Sequence, residues 1–146
     1  MAAFRGEAMT INNVAKPIDK GALILGTILS VPLFFVCFGV VAVVAYTVHT
    51  FLAGSMTDGV PRFVELSATV ISSLLGVGAG RWVCDKAFKA WSGWPIFVLL
   101  ILLALMNAYA ISQGYGDGMW RNTLSVLQMI VACAASWFWI VKKLDF

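Results

Sequence analysis

The chain has 146 residues, 61% of them hydrophobic and 12% charged, with a formal net charge of +3. Soluble domains carry about 45–50% apolar and about 25% charged residues, and a water-soluble fold of this size could not hide so much apolar surface. The composition excludes an ordinary soluble domain, and a mean hydropathy of +0.91 points to the bilayer.

Residues 1–21 form a polar tail carrying Arg5, Lys16 and Lys20. Ala22–Val48 follows, 27 residues without a charge. Crossing a hydrocarbon core of about 30 Å takes about 20 helical residues, so tilt, a kink or projection must absorb the excess. Pro32 marks the expected kink, because proline removes a backbone hydrogen bond and crowds the preceding turn. The run exceeds the roughly 7–15 apolar residues of a cleavable signal peptide, and a signal anchor is expected. His49 closes it.

The first connection, Thr50–Arg62, contains Asp58-Gly59-Val60-Pro61-Arg62. Asp-Gly is a turn dipeptide, since glycine tolerates positive φ and aspartate bonds nearby backbone. Pro61 suits the first position of a helix, and Asp58 ahead of that helix favours its dipole. The second run, Phe63–Val83, has 21 residues, with Glu65 near its start and Arg81 near its end. Ala68, Ser72, Gly76 and Gly80 recur every four residues and so share one helix face. Small residues let membrane helices approach closely, as in GxxxG pairs, so this face is a packing surface, either for another helix of the chain or for a partner. Glu65 is an ionisable group within a span, a functional candidate. Arg62, three residues earlier, is placed to pair with it. Thr69, Ser72 and Ser73 continue a polar stripe below Glu65.

After the connection Asp85–Gly93, the third run is Trp94–Ser112, 19 residues without a charge, with Asn107 towards its far end. Gln113–Arg121 connects it onward and contains Asp117-Gly118-Met119-Trp120-Arg121, a second D-G-x-x-R. The fourth run, Asn122–Val141, has 20 uncharged residues and carries Gln128. Superposing the two D-G-x-x-R stretches offsets the chain by 59 residues, and Gly76, Gly78 and Gly80 then fall on Ala135, Trp137 and Trp139. Turn chemistry with a flanking arginine that snorkels explains both stretches without a repeat.

The runs do not alternate as barrel strands do, and backbone groups in lipid must bond within the element. The expected fold is therefore an all-α integral membrane protein, an antiparallel bundle of four transmembrane helices at about 22–48, 63–83, 94–112 and 122–141. Lysine and arginine count 3, 1, 3, 1 and 2 along successive connections and tails. The positive-inside rule then places both termini and the middle connection in the cytoplasm. Trp82, Trp91, Trp94, Trp137 and Trp139 fall at the inner interface, and Tyr46, Tyr109, Tyr115 and Trp120 near the outer one, where amphipathic rings prefer to sit. The basic residues are anchors for anionic lipid, not a nucleic-acid footprint.

One histidine rules out a bis-histidine haem within one chain and a histidine-rich metal site. Cys37, Cys84 and Cys133 form no C-x-x-C and are expected to act as small hydrophobes. Gly76–Gly80 is not followed by Lys-Ser or Lys-Thr, so it is no phosphate loop. No cofactor and no enzymatic activity are expected. Glu65, Thr69, Asn107, Gln128 and His49 are candidates for a polar pocket or pore lining, with ordinary interhelical hydrogen bonding as the alternative. Two functions remain. The first is a non-enzymatic subunit of a larger membrane assembly, packing through Ala68, Ser72, Gly76 and Gly80, in a bacterial inner membrane. The second is a homo-oligomeric channel, small transporter or holin-like permeabilising protein lined by the Glu65 group. The expected partners are the lipid bilayer and other membrane subunits or further copies.

Overall fold

In the computed structural model, residues 17, 19–54 and 60–144 are described. They form four helices, α1 Lys20–Gly54, α2 Arg62–Ala87, α3 Trp94–Ser112 and α4 Met119–Ser136, the last continued by a π-helical turn at Trp137–Val141. All four are long and apolar enough to cross a membrane. The helix α1 runs uninterrupted through Pro32 and ends six residues beyond the apolar run, at Gly54. Pro61 is not the first helical residue but the cap before it, with φ −61° and ψ 146°. Its carbonyl accepts the amides of Val64 and Glu65 at 2.9 and 3.2 Å, groups that have no intrahelical partner.

The most extensive packing is between α1 and α2. Ala68, Ser72, Gly76 and Gly80 are all buried. A Cβ at Gly80 would lie 2.5 Å from the Phe34 ring, and one at Gly76 would lie 2.8 Å from the Phe38 ring. Phe34 and Phe38 stack on each other, 6.0 Å apart and 9° from parallel, so neither ring can readily give way. At Gly76 and Gly80 the small-residue face is thus taken up by α1 of the same chain. Serine and threonine hydroxyls along this seam bond their own helix: Ser72 and Ser73 donate to the Thr69 carbonyl, and Thr69 donates to that of Glu65. Such back-bonding satisfies polar groups without water, as an apolar surround demands.

One end of the bundle, marked by Trp91, is filled by side chains from all four helices: Phe34, Val77, Cys84, Ile96, Leu100, Ala132, Ala135 and Ile140, with Trp91 from the α2–α3 connection. Two glycines outside the small-residue ridge set its tightest approaches. A Cβ at Gly26 would collide with the backbone carbonyl of Ala90, and one at Gly93 with Ile140. The π-helical turn widens the last turn of the fourth span and leaves Ile140 buried against Gly93. Asp85 holds the connection, accepting from the Trp91 indole at 2.9 Å and from Arg81 Nε at 3.3 Å. Arg81 also donates to the Leu144 carbonyl at 3.0 Å, tying the end of the fourth span to α2. Trp94 packs edge to face on Phe97 and on Trp137, and the Phe97 and Trp137 rings lie tilted at 46°.

Gly26→Ala is expected to lower stability by about 1–3 kcal/mol, the usual cost of overpacking, because a backbone carbonyl cannot rotate away. Gly39→Ala, where an added Cβ meets nothing within 4 Å, is expected to be neutral or stabilising by up to about 1 kcal/mol, since alanine is the better helix former. Unfolding midpoints of the two variants in one detergent check the contrast.

Candidate functional site: a cleft between α1 and α4

At the other end, marked by Glu65, the arrangement opens. Here α1 meets α2 through His49 Nε2 and Ser67 Oγ, 3.1 Å apart. Farther round, α2 meets α4 through Glu65, and α4 meets α3 through Asn107 Nδ2 donating to Ser125 Oγ at 2.8 Å. Among the described residues the backbones of α1 and α4 do not come close to one another. The gap between them is a cleft floored by α2.

Two cavities occupy this cleft. The first, of about 260 Å³, is lined by Tyr46, Glu65, Thr69, Arg121, Leu124, Ser125 and Gln128. The second, of about 270 Å³, is lined by residues of α1 from Phe38 to Thr47, by Ser72 and again by Gln128. Tyr46 and Gln128 belong to both, so the two adjoin.

Glu65, Thr69 and Gln128, grouped from the sequence, do converge on this cavity. Asn107 does not reach it; its amide is spent on Ser125, an interhelical hydrogen bond of the ordinary kind. His49 is likewise committed to Ser67, outside the cavity lining. Ser73 is fully buried in the helix interface. The expected Arg62–Glu65 pair is replaced by a clasp on Trp120. The Trp120 indole donates to Glu65 Oε2 at 2.6 Å, and the Arg62 guanidinium lies over the Trp120 ring, 5.2 Å from its centroid. A cation over a partly buried indole contributes about 0.5–2 kcal/mol, and the indole donates to the carboxylate in a charge-assisted hydrogen bond.

The two D-G-x-x-R stretches therefore meet. Arg62 of the first lies on Trp120 of the second, and Arg121 of the second lines the cavity beside Glu65. Asp58 and Gly59 lie outside the described residues. Gly118 caps α4 at φ 106°, a backbone conformation that side chains oppose and glycine permits. Asp117 makes no capping bond; its carboxylate lies 4.0 Å from Arg121, both exposed, a pair that contributes little to stability.

Tyr46, Arg121 and Ser125 are cavity residues that sequence reasoning did not group with Glu65. A signal existed for two of them. Arg121, Ser125 and Gln128 follow an i, i+4, i+7 spacing and so share a face of α4. Tyr46 carried no such signal, because it lies on another helix whose rotation only packing fixes.

No protein-family model matches the sequence, and neither the curated proteins nor the solved structures yield a match.

With Cys37, Cys84 and Cys133 replaced by alanine, Gln128→Cys is expected to react with a membrane-impermeant maleimide, and Ser73→Cys is not. Labelling rates on intact membranes measure both; equal protection of the two positions would deny the cleft access to water.

Proposed function

We propose that the chain is a non-enzymatic polytopic subunit of a larger assembly in a bacterial inner membrane, built as an antiparallel four-helix bundle with both termini in the cytoplasm. The order of the α1–α2 contacts supports the antiparallel part: Phe34 meets Gly80, Phe38 meets Gly76, and His49 meets Ser67. The 3, 1, 3, 1, 2 distribution of lysine and arginine supports the orientation, which puts the Trp91 end inward and the Glu65 cleft outward.

The observation that carries the subunit reading is the filled Trp91 end. Phe34, Val77, Ile96 and Ile140 are at most 1% exposed there, so one copy offers no conduit from face to face. What it offers is lateral surface. Because α1 lies on Gly76 and Gly80 of the ridge, we place the assembly face on α3. That helix buries only Ile96 and Leu100 and leaves Val98, Leu102, Leu105 and Met106 exposed. Native mass spectrometry of the protein extracted gently from its own membrane is expected to give a heteromeric mass. A monomer or a clean homo-oligomer would count against the subunit.

The Glu65 cavity favours a second reading, a homo-oligomeric channel or small transporter, in which several copies supply the path that one lacks. Under it, Glu65→Gln is expected to cut flux in a liposome assay about tenfold or more, as loss of a group that meets the permeant would. Unchanged flux would leave Glu65 as the structural partner of Trp120 alone.

A further inference from the structure

We propose that the α1–α4 cleft binds one zwitterionic phospholipid of the ethanolamine type, with its ammonium at Glu65, its phosphate at Arg121 and an acyl chain along α1. The proposal rests on the bilayer placement given above and is independent of whether other subunits flank α3.

The cleft changes character along its length. Its mouth holds charges of both signs, Glu65 and Arg121, and among the described residues these two do not pair with each other. Glu65 gives one oxygen to the Trp120 indole, and a carboxylate keeps further acceptor capacity beyond one such bond. Among the described residues the one ion pair of Arg121 is the 4.0 Å contact with Asp117, and it presents a guanidinium fork, the geometry that matches phosphate. The Tyr46 hydroxyl and the Gln128 amide make no side-chain hydrogen bond among the described residues, yet neither is a sealed, unsatisfied group. They stand ready at the junction of the two cavities. A ligand that satisfies this mouth carries an ammonium and a phosphate together.

Beyond Tyr46 the lining turns apolar. Below Thr47 and Tyr46 the second cavity follows α1 through Val43, Ala42, Gly39 and Phe38. At 1.5 Å per residue, this is about 13 Å of descent from the mouth. Ser72, its one hydroxyl on α2, is already bonded to the Thr69 carbonyl. Gly39 leaves the groove open, since a Cβ there would touch nothing within 4 Å. A polar mouth at helix-end level and an apolar groove descending from it fit one amphiphile. Cavities of about 260 and 270 Å³ are too slender for a helix about 10 Å across. An anionic lipid without an ammonium would leave Glu65 facing negative charge.

The test uses the full chain, stripped of lipid in detergent and titrated with phosphatidylethanolamine, phosphatidylglycerol or free phosphoethanolamine, with adducts read by native mass spectrometry. Wild type is expected to bind phosphatidylethanolamine about tenfold more tightly than either of the others. Glu65→Gln is expected to abolish the preference over phosphatidylglycerol. Gly39→Leu is expected to weaken both phospholipids about tenfold without lowering the unfolding midpoint, because leucine favours the helix. Equal affinity for the two phospholipids in wild type would overturn the proposal, as would a Gly39→Leu variant that binds like wild type. A photocrosslinker placed at Gly39 in native membranes is expected to capture lipid; a polypeptide adduct would overturn the assignment in favour of a partner side chain. Alkaline washing of membranes reads the bilayer placement separately. Loss of the chain to the supernatant would overturn that placement and the lipid site with it, whereas weak lipid binding by a retained chain overturns the site alone.

Discussion

The close approach of α1 and α2 is the constraint on which the rest of the structure depends. Phe34 and Phe38 lie on Gly80 and Gly76 with no room for a Cβ, and Gly26 lies on the backbone at Ala90. In an apolar surround, helices gain little from burying more apolar area; they gain from dispersion contacts, which need backbones close together. Glycine supplies that closeness, and the stacked phenylalanine rings fill the remaining space. The same contacts fix the rotation of α2, and so decide which way Glu65 and Thr69 point.

From that pair the two ends of the bundle diverge. At the Trp91 end, one short connection joins α2 to α3, and Asp85, Arg81 and the Leu144 carbonyl fasten α2 to that loop and to the last helix. Nine side chains close the space between them. At the Glu65 end, α4 is held to α2 by the Trp120 clasp and to α3 by Asn107 and Ser125, while among the described residues its backbone does not approach that of α1. A cleft with a charged mouth and an apolar depth is the consequence. The lateral assembly face and the lipid site proposed above use different parts of this asymmetry, the exposed side of α3 and the open side of α2.

Much of this was legible in the residues. Uncharged runs of about 20 residues and more dictate long helices, because an apolar run of that length has no other way to satisfy its backbone out of water. The four-residue spacing of Ala68, Ser72, Gly76 and Gly80 marked a packing face, and the structure supplies its partner within the chain. Gly26 and Gly93 escaped notice because each stands alone, with no spacing to mark it, and their need for smallness comes from Ala90 and Ile140, distant in sequence or on another element. The Arg62–Glu65 pair was reasonable by helical spacing, yet Trp120 from the other hairpin competes for both groups.

The sequence by itself determined the number of helices and their apolar centres, the turn at Gly118 and the small-residue seam, because these follow from local hydropathy, backbone conformation and residue size. Only the tertiary structure decided that the seam faces α1, that the two D-G-x-x-R stretches meet across Trp120, and that Glu65, Arg121, Tyr46 and Gln128 share one cavity while His49 and Asn107 do not. Those outcomes depend on the rotation and crossing of whole helices, which are set by the sum of many contacts between residues far apart in the chain.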